Sequence, residues 1–159
     1  MTKKYKTLWL ILVFFIAVTN TAVGATKTWV GANNGTSGTA GNWSPSGAPG
    51  GGDDVIINTS VNININGNRT FNSLTITNNA NVIFTSSGNN TRKITIDNTG
   101  SSIDAGSSLT LKGSSGSGTR SMTIAFSGSN RTFQIAGNLI LTDVGEGTIF
   151  DATNSNTTV

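Results

Sequence analysis

Beyond residue 25 the apolar positions of the chain fall into short alternating bursts. They read Val61-Asn-Ile-Asn-Ile65, Leu74-Thr-Ile76, Ile94-Thr-Ile96, Leu109-Thr-Leu111, Met122-Thr-Ile124, Phe133-Gln-Ile135 and Leu139-Ile-Leu141. Gly, Asn and Ser turns separate them. Period-two alternation places one face in an apolar interior and the other in water, which is the signature of a half-buried strand. No segment after residue 25 carries a helical 3.6 period. The pattern predicts an all-β chain.

Several bursts also share a template of polar, aliphatic, usually Thr, aliphatic. It recurs at Ser73–Ile76, Lys93–Ile96, Ser108–Leu111, Ser121–Ile124 and Asn138–Leu141. Internal repetition of this kind predicts a right-handed parallel β-solenoid, or β-helix, from Val55 to Asp151. The competing architecture is a β-sandwich, which also uses many short strands. In a solenoid, inward Leu, Ile, Met and Phe stack into a narrow column. Thr75, Thr95, Thr110 and Thr123 would then line up on the outside, where a β-branched hydroxyl suits a strand. Asn and Gly supply the turns, including positive φ.

The first 25 residues differ. Lys3, Lys4 and Lys6 precede an apolar run from Leu8 to Val18, followed by Val23-Gly-Ala25. A basic start, a short apolar core and small residues at −3 and −1 read as a secretory signal peptide cleaved after Ala25. An uncleaved membrane anchor is the competing reading. Eleven apolar residues are fewer than the ~20 that a spanning helix needs.

Removal of residues 1–25 changes the charge. The whole chain carries +3. The remainder has seven bases (Lys27, Arg69, Arg92, Lys93, Lys112, Arg120, Arg131) and seven acids (Asp53, Asp54, Asp97, Asp104, Asp143, Glu146, Asp151), and is neutral. A neutral chain has no net basic field for phosphate backbones or anionic lipid, so neither nucleic-acid binding nor membrane insertion after cleavage is expected. Ser, Thr, Asn and Gly make up 83 of the 159 residues, and His and Cys are absent. That excludes disulfides, Cys or His zinc sites, and any triad that needs a His. No cofactor or metal is expected.

Residues 26–54 hold Trp29 and Trp43, both prolines and Gly-rich loops, and are expected to cap the solenoid at its N-terminal end. Their motifs run Thr28-Trp-Val-Gly-Ala32, Gly41-Asn-Trp-Ser-Pro45, Gly47-Ala-Pro49 and Asp53-Asp-Val-Ile-Ile57. This order resembles the opening of many large exported bacterial surface proteins with right-handed β-helix or adhesin-like repeats, which often carry a C-terminal type IX sorting domain. The resemblance covers residues 28–57 well and the later bursts loosely. It implies a secreted or outer-surface location in a bacterium. The polar tail 152–159 carries no sorting domain, so the sequence reads as a fragment. The strand at Gly147–Asp151 is expected to expose Ile149 and Phe150, the tail to be disordered, and the ends to self-associate.

The candidate chemistry is sparse. Trp29 and Trp43 either stack on sugar rings or close the core end, and Trp is usually buried. Asp53 and Asp54 either bind calcium through their oxygens or bond to backbone amides in a turn. Asp97, Asp104, Asp143, Glu146 and Asp151 are the carboxylates from which a glycoside-hydrolysing pair would be drawn. Arg92, Lys93 and Asp97 are the thin basis for a lyase. An ice-binding face would need a second Thr column, but that column reads Thr77, Asp97, Lys112, Ala125, Thr142 and is broken by charge. Seven Asn-x-Ser/Thr sequons (Asn34, Asn42, Asn58, Asn68, Asn89, Asn130, Asn156) are at the level this composition produces by chance. The sequence therefore predicts a non-enzymatic, secreted or cell-surface structural segment of adhesin-like type. Glycans or a neighbouring cell surface are its expected partners. The alternative is a carbohydrate-binding or polysaccharide-active module.

Overall fold

A computed structural model describes residues 24–88, 90–114, 120–142 and 148–151. It is all-β, with parallel strands stacked into a β-solenoid of about four turns. Each full coil contributes one strand to each of three sheets, called here A, B and C. The partial first coil holds β1 (Thr26–Trp29) and β2 (Gly35–Thr36), followed by β3 (Trp43–Ser44). Coil 2 is β4 (Asp54–Ile57), β5 (Val61–Ile65) and β6 (Arg69–Phe71). Coil 3 is β7 (Ser73–Ile76), β8 (Asn81–Ser86) and β9 (Arg92–Ile96). Coil 4 is β10 (Ser101–Ile103), β11 (Ser108–Lys112) and β12 (Met122–Phe126), and coil 5 is β13 (Phe133–Ile135), β14 (Asn138–Thr142) and β15 (Ile149–Asp151).

Sheet A runs β13-β10-β7-β4-β1-β3, sheet B runs β14-β11-β8-β5-β2, and sheet C runs β15-β12-β9-β6. Among the described strands every pairing is parallel except β1 with β3. A sandwich of antiparallel hairpins does not fit this topology. All seven apolar bursts lie within strands. Their inward residues form columns, one residue per coil. On sheet B the column is Ile63, Phe84, Leu111, Leu141, and on sheet A it is Ile57, Ile76, Ile103, Ile135. Ile63, Leu111, Ile57, Ile76 and Ile103 are fully enclosed. Stacking identical walls lets each side chain cover the one in the coil below, so a chain with few apolar residues still builds a continuous core.

The threonine row does not exist. Thr75 is on sheet A and Thr110 on sheet B, while Thr95 and Thr123 are on sheet C two register positions apart. The template recurs because all three walls share the same in-out alternation. Its recurrence therefore does not mark one face. The true coil length is set by register. Val55 pairs Leu74, Leu74 aligns with Ser101, and Ser101 pairs Phe133, which are steps of 19, 27 and 32 residues. Strand length is nearly fixed, and the corners take up the difference.

The corners are built by polar side chains that reach between coils. Asn34, Asn78, Asn79 and Asn130 have positive φ, which the short Asn side chain tolerates. Asn78 donates to the Asn58 carbonyl one coil below, and Ser108 donates to Asn81. Ser101, inward on sheet A, accepts from the buried Leu74 amide. These bonds satisfy backbone and side-chain groups where the ladder breaks.

Residues 26–54 contribute strands to two of the walls. β1 extends sheet A, with Lys27 opposite Val55, and β2 extends sheet B, with Gly35 opposite Ile63. The connection from residue 37 to 53 closes the N-terminal end of the core. Among the described residues no helix is long and apolar enough to cross a membrane. Residues 1–23 and 152–159, with the expectations placed on them, lie outside the described residues.

Candidate functional site

Trp29 and Trp43 meet at the edge of sheet A as an antiparallel pair of β1 and β3. Their rings make an edge-to-face contact, with centroids 5.0 Å apart and planes at 85°. They are 1% and 3% exposed. Trp43 Nε1 donates to the Ser37 carbonyl at 2.9 Å, and Asn42 Nδ2 donates to the Thr36 carbonyl. Neither ring presents a face to solvent, so sugar stacking on them is closed in this arrangement. They seal the core.

Lys27 completes the closure. Its register is inward, level with the core residue Val55, and the side chain is buried. β3 pairs only with Thr28 and Trp29, so the Lys27 side chain reaches past the end of that strand. The ammonium donates to the carbonyls of Pro45 and Ser46 at 3.1 and 3.2 Å. Burying a charge is costly unless carbonyl dipoles or an anion meet it, and here two carbonyls do. The alternating pattern alone does not reveal this residue, because a Lys at an inward position reads as a break in the strand.

The acidic candidates hold the fold. Asp53 Oδ1 accepts from the Ala25 amide and Oδ2 from the Gly50 amide, closing the loop before β4. Asp54 Oδ1 accepts from Asn72 Nδ2 and Ser73 Oγ in the next coil. Asp97 accepts from Ser127 Oγ in the next coil, and its Oδ2 lies beside Gly51. Asp104 accepts from Ser102 Oγ at the A–B corner. Asp53, Asp54 and Asp97 therefore share the C–A corner, where each accepts bonds that tie neighbouring segments. Among the described residues no cluster of three or more His, Cys, Asp or Glu could hold a metal.

The hydrolase and lyase candidates are not brought together. Asp97 and Asp104 stand at different corners, and Asp151 ends β15 on sheet C. Asp143 and Glu146 lie outside the described residues. Arg92 begins β9 and Asp97 follows its end, so the strand holds them roughly 16 Å apart at ~3.3 Å per residue. The second threonine column is also scattered: Lys112 and Thr142 pair on sheet B, Ala125 is on sheet C, and Asp97 is at the C–A corner.

The register shows something the sequence did not. Five basic residues lie along the turns from sheet B to sheet C: Arg69 opens β6, Arg92 and Lys93 open β9, Lys112 ends β11, and Arg120 stands two residues before β12. Lys93 and Lys112 are exposed, whereas Arg69 and Arg92 are in the inward register and Arg120 is buried. Among the described residues no acid shares that corner.

The model of one domain family, the G8 domain, matches residues 42–150, from just before β3 into β15. Comparison with the curated proteins and with the solved structures finds no match. The match to the family model takes in well over half of the sequence, including coils 2 to 4 entire and all but the last residue of coil 5. The protein therefore belongs to the G8 domain family, whose members occur in extracellular proteins.

Proposed function

We propose that the chain is a non-catalytic structural segment, exported and displayed at a bacterial cell surface, that presents its solenoid walls to glycans or to a neighbouring surface. The observation that carries this is the use made of the carboxylates. Asp53, Asp54, Asp97 and Asp104 all accept hydrogen bonds that hold loops and coils together. A hydrolytic pair needs two carboxyls across the scissile bond, and Asp97 and Asp104 stand at different corners. The fold, the family and the signal-like residues 1–25 support the same reading, and the G8 domain is not a known enzyme family.

The test is turnover. The full chain, exported from a bacterial host, is incubated with a panel of neutral and acidic polysaccharides, and reducing ends or unsaturated products are measured. No product is expected. Product that disappears in the Asp97→Asn or Asp104→Asn variant, with folding intact, would overturn the reading in favour of a polysaccharide-active module.

A further inference from the structure

We infer that the bond cut during export is Gly24–Ala25, and that the new N-terminal ammonium of Ala25 is held by the Asp53 carboxylate as a closing contact of the first coil. The inference rests on the export reading above and assigns it a processing site. The rule of small residues at −3 and −1 allows two cuts in this sequence. One follows Ala25, with Val23 and Ala25 at those positions. The other follows Gly24, with Ala22 and Gly24 there, both small. Ala22 and Val23 lie outside the described residues, whereas Gly24 and Ala25 are within them. The fold separates the two cuts. The Ala25 carbonyl accepts from the Asp54 amide at 3.0 Å, at the start of the ladder between β1 and β4. The Ala25 amide donates to Asp53 Oδ1 at 2.7 Å. A cut after Ala25 discards both bonds and takes their partner from a half-buried carboxylate and from a strand amide. A cut before Ala25 keeps both.

The chemistry of the cut strengthens the bond to Asp53. A leader peptidase hydrolyses the Gly24–Ala25 amide with water. The hydroxyl goes to the Gly24 carbonyl carbon and a proton goes to the Ala25 nitrogen. Near neutral pH that amine takes up one more proton from solvent, because a free α-amino group has a pKa of about 8. The neutral N–H donor beside Asp53 thus becomes a cation. A charge-assisted hydrogen bond is shorter and roughly twice as strong as a neutral one, and the 2.7 Å separation already suits it. Asp53 is placed to receive that charge. Its oxygens accept from two backbone amides, Ala25 on Oδ1 and Gly50 on Oδ2, and among the described residues no basic side chain bonds to it. The other charges on the elements around it are engaged elsewhere. Lys27 bonds to the Pro45 and Ser46 carbonyls, Asp54 to Asn72 and Ser73, and Asp97 to Ser127. Gly52 also approaches from this side, since a Cβ at residue 24 would come within 1.4 Å of its carbonyl oxygen. Glycine at position 24 therefore meets two demands, the close backbone approach and a small residue next to the cut.

The experiment uses the full chain exported from a bacterial host. Intact mass gives the first residue, and Ala25 is expected. The ion pair is read by acylating the α-amine near neutral pH, where an α-amine is far less protonated than a lysine side chain. A carboxylate partner keeps the α-amine protonated and unreactive, so the parent is expected to label at least about three-fold more slowly than Asp53→Asn. Asp104→Asn removes a carboxylate at the A–B corner and should label like the parent. Circular dichroism checks that each variant is folded, and the mass of the parent reads the cut whether or not Asp53→Asn folds. Thr26 as the first residue would overturn the inference and leave export standing. An intact Met1 would overturn the export reading itself. Ala25 as the first residue, with equal labelling of the parent and a folded Asp53→Asn, would overturn the ion pair.

Discussion

At the scale of single residues, stability is concentrated where the repeating wall is interrupted. Trp43 is the clearest case, since it is buried, packs edge to face on Trp29 and bonds through Nε1 to Ser37. Trp43→Ala is expected to cost about 3–5 kcal/mol in urea unfolding, as other buried aromatic truncations do. Trp43→Phe keeps the ring contact and loses the hydrogen bond, and should cost clearly less. If both variants unfold like the parent, the pair does not seal the core. Two glycines offer a second comparison. A methyl at Gly137 would overlap the carbonyl oxygens of Ser107 and Asp104, which are backbone and cannot yield cheaply. Gly100 has φ +91° and open space around its Cβ position. Gly137→Ala is therefore a packing fault, expected to cost about 3 kcal/mol. Gly100→Ala carries only a backbone cost of about 1–2 kcal/mol. Replacing Ala by Asn should recover part of the loss at Gly100 and none at Gly137, because only the first site is limited by φ.

At the scale of elements, the alternating pattern was enough to find the strands and too little to assign them to walls. Val61–Ile65 and Phe133–Ile135 are β5 and β13 to the residue. The weaker strands escaped because their inward residues are few or polar. β10 has Ser101 where its neighbours carry Leu74 and Phe133, and β1 has Lys27 where the next coil carries Val55. Those polar residues serve purposes that periodicity does not encode, namely an amide left over at a corner and a core end to be closed. The carboxylate candidates were visible as residue types, while their partners depended on which coil lies above which. Hydrogen exchange should follow the same order. Amides of β5, β8 and β11, which have a strand on both sides, are expected to be the most protected. Those of β14 and β15 at the edge should exchange fastest. Uniform protection would mean that the coils open only together. The amide and carbonyl of Ala25 bond to Asp53 and Asp54, so signal cleavage after Ala25 removes two bonds from the first coil. Mass analysis of exported material is therefore expected to give Ala25, and not Thr26, as the first residue. An intact Met1 would refute the signal reading.

At the scale of the whole molecule the two ends of the described solenoid differ, and the difference bears on how copies can meet. At the N-terminal end, β3, Trp43 and the Lys27 bonds cover the core. At the other end, coil 5 has no described coil above it. Its outward Ile140 is 43% exposed, and Leu141, which belongs to the inward column, is 38% exposed. Ile149 is 48% exposed, while Phe150 is held partly under cover by Phe126 and Phe133. Unpaired strand edges beside apolar side chains favour association. Because β3, Trp43 and Lys27 close the N-terminal end, any joining of copies of this chain is expected to run through the exposed apolar residues of coil 5 as a closed pair. A head-to-tail filament would need an open end on each side. Light scattering of the full chain should show a concentration-dependent step from monomer to dimer and no larger species. Leu141→Lys should hold it as a monomer without unfolding it, because that side chain is already 38% exposed. The same change at Leu111, one coil inward and fully buried, should unfold the chain. Filaments would mean that the N-terminal closure opens. A monomer that persists at high concentration would mean that the coil 5 edge is covered within the chain itself.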